Sequence, residues 1–182
     1  TPRLSSAASD VYKRQGKQYS ISVFIRESKK NIKRFEPYSH QINIIYGDLT
    51  NGEDLIKICE PYDAVIHLAA IIPPIAYKCQ AKTYKVNVVG TQLLLRHIES
   101  YCPNAFFMFS SSVAIYGDRL KNHEIKVSDP LHEDDSDFYV QSKINAEKLV
   151  EQSKLEWTIF RLTAILGAVS YTHLTLPTKV EV

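Results

Sequence analysis

Tyr139 and Lys143 are residues whose types and spacing could move a proton. On a helix, two residues four positions apart share a face. A tyrosine that exchanges its proton near neutral pH needs its pKa lowered from about 10, and a shift of ~3 units needs roughly 4 kcal/mol of preference for the phenolate. An ammonium group one helical turn away is a suitable source of that preference. Taken alone, the pair is more typical of a solvated helix surface.

A run of hydroxyl groups, from Ser110 to Ser112, gives the pair its support. These serines end an apolar run that reads as a buried strand, and ligands of open α/β sheets bind at the carboxyl ends of the strands. Ser112 could hydrogen-bond a substrate oxygen while Tyr139 transfers the proton. The alternative is a serine-rich turn that satisfies its own backbone, but it leaves the following Tyr116-Gly117 unexplained.

The elements that must position these groups can be predicted from apolar patterning. Continuous apolar runs predict five strands, at residues 20–26, 42–46, 63–70, 105–111 and 157–162. Apolar residues at helical spacing predict three helices, at residues 52–60, 82–100 and 138–154. Runs without strict alternation are typical of parallel strands in a buried sheet. The run 63–70 is nearly all apolar, so we expect it to be covered on both faces.

Strands that alternate with helices indicate an α/β protein with a Rossmann-type, doubly wound parallel sheet. A chain of 182 residues is long enough for one domain with a real core. One long polar loop, residues 118–137, joins the fourth strand to the helix that carries Tyr139 and Lys143.

Short motifs occur in a fixed order between residues 16 and 167. They are Gly47-Asp48-Leu49, His67-Leu68-Ala69-Ala70, Asn87 with Gly90-Thr91, FSSSVAIYG at 109–117, Tyr139-Val140-Gln141-Ser142-Lys143, and Arg161-Leu162 with Ile165-Leu166-Gly167. Together they resemble the extended short-chain dehydrogenases/reductases, the NAD-dependent epimerase/dehydratase group. Each motif has an ordinary alternative, such as a packed core histidine for His67, and the order and spacing of the set carry the resemblance.

The resemblance implies a role for each matching residue. It makes Ser112, Tyr139 and Lys143 catalytic, with Tyr139 as acid/base, Lys143 lowering its pKa and holding the ribose, and Asn87 completing the catalytic set by supporting the helix. The implied cofactor-binding residues are Arg26, Asp48, Leu49, Leu68, Ala69, Ala70, Ser110, Tyr139 and Lys143. No metal site is implied.

The end of the first predicted strand bears on the choice of cofactor. Relatives that prefer NAD usually carry an acidic residue there, whereas this chain has Arg26, Lys29 and Lys30 beside a single Glu27. Guanidinium and ammonium groups suit the 2′-phosphate of NADP. NADP is therefore the preferred prediction, NAD the alternative, and a solvated basic turn remains the ordinary explanation.

The implied function is NAD(P)-dependent hydride transfer at a carbinol carbon of a sugar-nucleotide or similar small substrate. Dehydratases of the group usually carry Asp-Glu after the catalytic hydroxyl residue, and Val113-Ala114 stand there instead. Dehydration is therefore disfavoured, while epimerase, reductase and dehydrogenase remain open. The alternative function is that of a non-catalytic dinucleotide-binding protein or an inactive gene fragment.

The family's glycine-rich phosphate turn is not found in this sequence. The six glycines of the sequence, at positions 16, 47, 52, 90, 117 and 167, do not have the G-x-x-G-x-x-G spacing of that turn. That turn lets a pyrophosphate approach backbone N–H groups at a helix N-terminus. We interpret residues 16–168 as an incomplete NAD(P)-binding domain truncated at both ends. Segments 1–15 and 169–182 do not resemble the family and look like translated read-through joined to a gene fragment.

Bulk composition excludes other classes of function. A formal net charge of +2 is too small to indicate nucleic-acid or membrane binding. The three cysteines, Cys59, Cys79 and Cys102, lack metal or CxxC spacing and suggest reduced thiols. No apolar run approaches the ~20 residues that span a bilayer. We expect a cytoplasmic protein with a small-molecule substrate. The family resemblance implies a homodimer formed through the helices that contain Asn87 and Tyr139.

Overall fold

The computed structural model describes residues 19–117, 124–132 and 136–163, which contain five parallel strands. The strands are β1 (Ser22–Ile25), β2 (Asn43–Tyr46), β3 (Ala64–His67), β4 (Phe106–Ser112) and β5 (Glu156–Leu162). Each one begins and ends within a few residues of an apolar run predicted from the sequence. At least one helix lies between each strand and the next. The predicted α/β class is confirmed.

The strands form two parallel sheets within the described residues. One sheet pairs β1 with β2, from Ser22 opposite Asn43 to Ile25 opposite Tyr46. The other has the order β3-β4-β5. The sequence predicts one open sheet, and the structure differs because no described strand bridges β1 and β3. Residues 21–163 nevertheless form one compact unit.

The helices are α1 (Lys29–Phe35), α2 (Gly52–Leu55), α3 (Ile75–Lys78), α4 (Gln80–Tyr84), α5 (Thr91–Tyr101) and α6 (Phe138–Glu151). A π-helical segment, Lys85–Gly90, joins α4 to α5 without a break. Short 3₁₀ turns lie at Glu36–Tyr38, Ile56–Ile58 and Val113–Tyr116. The sequence pattern did not predict α1, which is mostly charged, or the π-helical segment.

The main core lies between one face of the β3-β4-β5 sheet and helices α5 and α6. Phe107 and Phe109 of β4 pack there with Leu94, Ile98 and Val150. Phe24 and Ile45 of the two-stranded sheet also contact this core. The buried residues of β4 alternate with more accessible ones, as expected when a single face of a sheet is covered.

The prediction that β3 is covered on both faces is wrong. Val65 and His67 face the core, but Ile66 is 42% exposed and Leu68, just after the strand, is 56% exposed. Successive residues of a strand point to opposite sides, and no described element covers the second side. The outward-facing residues of this run are therefore apolar although they are exposed to solvent.

Candidate active site

Helix α6 begins where the sequence predicted, and its first turn carries Tyr139. The Asp137 side chain caps the helix by accepting hydrogen bonds from the backbone N–H groups of Tyr139 and Val140, each at 3.1 Å. An aspartate is a favoured N-cap because it satisfies donors that have no partner inside the helix. The cap fixes where the helix begins, and the contacts of Tyr139 with Ser112 and of Lys143 with Ser110 show that both residues lie on its inner side, towards β4.

Lys143 is almost fully buried against β4. Its Nζ donates a hydrogen bond to the carbonyl oxygen of Ser110 at 2.8 Å and lies 5.0 Å from the centroid of the Phe109 ring. Burial lowers the pKa of Lys143 to about 8, and the charge of Glu147 partly opposes that effect. Among the described residues, Ser110 is the only hydrogen-bond partner of this ammonium group, which leaves donors for a ligand.

Tyr139 lies beside Ser112, so the structure brings both predicted proton-transfer groups together. Burial raises the pKa of the Tyr139 phenol above its ordinary value, and the Ser112 hydroxyl acts in the opposite direction. The structure here differs from the expectation that Lys143 lowers this pKa. The reason is that the ammonium group is directed to the Ser110 carbonyl.

Ser112 combines the two alternatives that the sequence left open. Its Oγ accepts a hydrogen bond from the backbone N–H of Ala114 at 3.2 Å, which caps the 3₁₀ turn Val113–Tyr116. The hydroxyl therefore satisfies part of its own turn. Because that bond uses an oxygen lone pair, the hydroxyl proton is still available to an oxygen of Tyr139 or of a substrate.

Asn87 braces the site from the π-helical segment. Its side-chain oxygen accepts from the N–H of Ile71 at 2.7 Å, and its Nδ2 donates to the Ile71 carbonyl at 3.0 Å and to Ser142 Oγ at 2.9 Å. The amide thus ties the segment after β3 to α6 at the residue before Lys143. In the structure Asn87 contacts these supporting groups and has no hydrogen bond to Tyr139 or Lys143 among the described residues. π-Helical segments are often found at functional sites.

His67 is a buried, hydrogen-bonded core residue. Its Nε2 lies 2.9 Å from Thr91 Oγ1, and the Thr91 hydroxyl donates to the Asn87 carbonyl at 2.7 Å. Since that hydroxyl has one proton, Nε2 of His67 must carry the hydrogen in their shared bond. Burial, with a smaller contribution from the charge of Lys143, lowers the pKa of His67 to about 3. The ring is therefore neutral near pH 7.

The predicted cofactor-binding residues lie at the carboxyl ends of the strands. Asp48 follows β2, and its carboxylate accepts from the Thr50 N–H and hydroxyl, each at 2.8 Å. These bonds, and the charge of Arg26 after β1, hold the pKa of Asp48 below its ordinary range despite partial burial. Leu68 and Ala69 are exposed beyond β3, and Ala70 is half-buried.

Leu49 plays a packing role in the structure. A Cβ added at Gly90 would come within 3.1 Å of Leu49 Cγ and Cδ2. The glycine in the Asn87 motif therefore lets the turn after β2 pack closely against the π-helical segment. Leu49, which is predicted to bind the cofactor, therefore lies next to the π-helical segment that carries Asn87.

A buried charge cluster next to the site was missed by the sequence analysis. Glu147, one turn beyond Lys143 on α6, is 2% exposed and is held by the Arg161 guanidinium of β5. The distance from Arg161 Nη2 to Glu147 Oε2 is 2.8 Å. A signal existed in the sequence, because Arg161 interrupts an otherwise apolar strand.

No metal-binding arrangement is found in the described ranges, where no group of three or more His, Cys, Asp or Glu side chains converges. Likewise, no helix in that part of the chain is long and apolar enough to cross a membrane. Among the same residues, the three cysteines form no disulfide; Cys59 and Cys79 are exposed and Cys102 is buried.

Comparison with curated proteins finds relatives of part of the chain. It is 28% identical over 120 residues to a 3-beta-hydroxysteroid dehydrogenase of Mycolicibacterium neoaurum, covering 63% of this chain and 32% of the relative. It is 30% identical over 113 residues to a GDP-6-deoxy-D-mannose reductase of Pseudomonas aeruginosa, covering 62% of this chain and 36% of the relative. The chain thus aligns with about a third of each relative.

Comparison with solved structures confirms the Rossmann-type fold. The Bordetella bronchiseptica enzyme WbmH, in complex with NAD+, superposes with a TM-score of 0.72 at 17% identity, covering 87% of this chain and 52% of that one. At such low identity the likeness concerns the fold alone. The motifs up to Leu162, however, lie on this fold, whereas Ile165-Leu166-Gly167 lies outside the described residues. The profile of the NAD dependent epimerase/dehydratase family matches residues 5–180. The chain therefore belongs to the NAD dependent epimerase/dehydratase family.

Proposed function

We propose that the protein is an NAD(P)-dependent epimerase, reductase or dehydrogenase whose proton-transfer centre is Ser112, Tyr139 and Lys143. The observation that carries the proposal is the burial of the Lys143 ammonium group beneath β4, on the same side of α6 as Tyr139 and next to Ser112. A buried cation without a carboxylate in contact is costly and is more typical of a functional site than of packing.

The residues present fit the nicotinamide and ribose portions of a dinucleotide. Donor groups at the carboxyl end of β4 match ribose hydroxyls and a carbonyl oxygen, and Lys143 retains unused N–H groups there. Asp48 keeps a carboxylate oxygen, Oδ2, for an adenine or ribose donor, since both of its bonds with Thr50 use Oδ1. When bound, the nicotinamide would supply the hydride acceptor or donor.

The chain's own residues would handle the proton that accompanies hydride transfer. Tyr139 would take the proton from a substrate hydroxyl or return it to a carbonyl, and Ser112 would orient that oxygen with its free hydroxyl proton. Lys143 would bind the ribose and favour the phenolate once it turns from Ser110 to the ligand. Asn87 would hold α6 in place through Ser142.

The finer choices rest on fewer residues. The exposed Arg26 next to Asp48 supports NADP over NAD, because a guanidinium can pair bidentately with a 2′-phosphate. Dehydration is disfavoured because Val113 and Ala114, where dehydratases carry Asp-Glu, pack against an apolar cluster. We propose a sugar-nucleotide or similar small molecule as substrate, a cytoplasmic location and a homodimer.

The mechanism is tested by Tyr139→Phe in a form of the protein that binds NADPH and turns over substrate. This change removes the phenolic proton and keeps the ring, so turnover should fall at least ~10²-fold, the usual contribution of general acid–base catalysis. Dinucleotide affinity should stay within a few fold, measured by NADPH fluorescence. Tyr101→Phe is the matched control, because Tyr101 is an exposed tyrosine at the carboxyl end of α5 and has no contact with the cap of α6 among the described residues. Unchanged turnover in Tyr139→Phe would refute the assignment.

The alternative is a non-catalytic binding protein or an inactive fragment, and the absence of the glycine-rich turn from the sequence favours it for the 182-residue chain. We expect this chain to bind NADPH weakly or not at all, because side chains cannot readily replace the backbone N–H groups of that turn. Fluorescence titration of NADPH into the chain measures this. Sub-millimolar binding would contradict the expectation and favour a complete site.

A further inference from the structure

Arg161 joins the two halves of the proposed site. Four residues after Lys143 on α6 lies Glu147, and four residues after Ser112 lies Tyr116. The Arg161 guanidinium contacts both. Its Nε lies 3.1 Å from Glu147 Oε1, its Nη2 lies 2.8 Å from Glu147 Oε2, and its Nη1 donates to the Tyr116 hydroxyl.

The guanidinium also reaches the loop between β4 and α6. Nη1 donates to the Val127 carbonyl at 3.2 Å, and the Tyr116 hydroxyl donates to the same oxygen at 3.4 Å. The Tyr116 ring lies under the guanidinium, with 5.1 Å between Arg161 Cζ and the ring centroid. One side chain of β5 therefore contacts α6, the turn after Ser112 and the loop.

Burial makes this arrangement more than a surface ion pair. Glu147 is 2% exposed and Tyr116 is 6% exposed. A buried carboxylate is held in place by partners that match its geometry, and the planar guanidinium provides a rigid fork that lysine cannot reproduce. Movement of α6 relative to the Ser112 turn would break at least one arm of the fork.

We propose that Arg161 is a positioning residue that sets the spacing between Ser112 and the Tyr139–Lys143 face of α6 by binding Tyr116 and Glu147 at the same time. The inference rests on the proposed function, because the spacing matters only if these residues act together. It predicts that the fork geometry is required, and that the positive charge at position 161 is not sufficient.

Arg161→Lys and Tyr116→Phe test this fork, the Arg161 guanidinium with its partners Glu147 and Tyr116. Both changes are made in a form of the protein that catalyses the proposed reaction. Lysine keeps the charge beside Glu147 but cannot hold both partners, and phenylalanine keeps the ring but loses the hydroxyl. We expect each change to lower kcat about 10- to 100-fold, as misplacement of reacting groups by ~1 Å does, with KM for the organic substrate within threefold. The double variant should be no slower than Arg161→Lys.

Leu155→Ala is the matched control for stability. Leu155 is buried in the main core, just before β5 and away from the fork. We expect it to lower Tm at least as far as Arg161→Lys does while kcat stays unchanged. Losses of kcat that multiply in the double variant, or an Arg161→Lys variant that turns over like the wild type, would overturn the proposal.

A second readout does not depend on turnover. In the 182-residue chain with carbon-13-labelled lysine, the Lys143 signal is identified by its loss in Lys143→Met. The groups that face Lys143 are His67 of β3, Phe109 and the Ser110 carbonyl of β4, and Glu147 of α6, with Arg161 of β5 behind Glu147. All of these charges are kept in Arg161→Lys.

If the fork positions α6, the titration of Lys143 should move from near 8 towards its ordinary value in Arg161→Lys and Tyr116→Phe, because the ammonium group becomes better solvated. A titration midpoint unchanged in both variants would refute the positioning role even if the wild type is active. A shifted midpoint together with an inactive wild type would refute the proposed function and leave the positioning role supported.

Discussion

Burial of the Lys143 ammonium group destabilises the folded protein. The residue is 4% exposed, and its ammonium group has one carbonyl partner among the described residues and lies over an aromatic ring. The folded protein therefore binds the Lys143 proton less tightly than the unfolded chain does. With a pKa of about 8 against an ordinary value of 10.5, the difference corresponds to about 3 kcal/mol at neutral pH.

This cost gives the first prediction, for Lys143→Met. The charged lysine destabilises the folded state fully below pH 8, and the effect fades as pH rises from 8 to 10.5, so stability increases with pH over that window. Methionine removes the charge and keeps the chain length. We expect ~1–3 kcal/mol of added stability at pH 7, less than the full charge cost because the Ser110 bond is also lost.

The measurement is thermal or urea unfolding at pH 7 and at pH 10. The gain should shrink at pH 10, while Lys33→Met, at an exposed position on α1, should change stability by less than ~0.5 kcal/mol at both. An equal loss of stability at the two pH values would show that Lys143 is stabilising through its packing.

Among the structural elements, the turn after Ser112 shows the strictest local requirement. Gly117 has a φ of 70°, in the left-handed region where L side chains are strained. A Cβ at this position would lie 2.7 Å from Cγ of His132, whose backbone N–H bonds to the Ile115 carbonyl at 2.7 Å. The glycine lets the segment 124–132 lie directly on the turn that bears Ser112 and Tyr116.

We therefore expect Gly117→Ala to lower the free energy of unfolding by ~1–3 kcal/mol, from backbone strain and the clash with His132. Gly52→Ala is the control, since nothing lies within 4 Å of a Cβ there and the residue begins helix α2. That change should be neutral or stabilise by up to about 1 kcal/mol. Urea denaturation compares the two, and equal effects would contradict the argument.

At this same scale, the sequence was sufficient for the elements that have strong patterns. The five strands were found because buried parallel strands are continuous apolar runs, and α6 was found because its apolar residues recur at helical spacing. Helix α1 was missed because Lys29, Lys30, Lys33 and Arg34 leave almost no apolar face. The π-helical segment was missed because its side chains keep an apolar pattern close to that of an α-helix.

The site residues were predictable from motif order, but their interactions were not. Ser112 lies beside Tyr139, and Ser110 binds Lys143, because these serines end β4 and α6 packs against that strand. The direction of the Lys143 ammonium group and the bonds of Asn87 depend on packing between elements far apart in sequence. Arg161 and Glu147 depend on the register of α6 against β5, which patterning does not encode.

At the scale of the whole molecule, the uncovered side of the β3-β4-β5 sheet is the surface most prone to association. Ile66, Phe106 and Phe160, one from each strand, lie on this side and are each at least 36% exposed. Parallel sheets are ordinarily covered on both faces. Contiguous exposed apolar surface of this kind marks an interaction site or a source of association.

We accordingly expect the 182-residue chain to self-associate with rising concentration, and Phe160→Thr to reduce this. Threonine keeps the preference of β5 for strand geometry while removing the exposed ring. Val127→Thr is the control, because Val127 is 85% exposed but lies in the loop that contacts Arg161, whose side chain leaves β5 on the side opposite to Phe160. Sedimentation velocity measures the outcome. Equal association in Phe160→Thr and the wild type would rule out this face as the contact.

The fork between Glu147 and Arg161 also sets an order of events during synthesis on the ribosome. Glu147 is made 14 residues before the arginine that neutralises it. Until β5 leaves the exit tunnel, α6 cannot bury this carboxylate without a large penalty, so it cannot settle on β4. The site is therefore completed by β5, and a nascent chain stopped ahead of position 161 would expose α6 to chaperones and proteases.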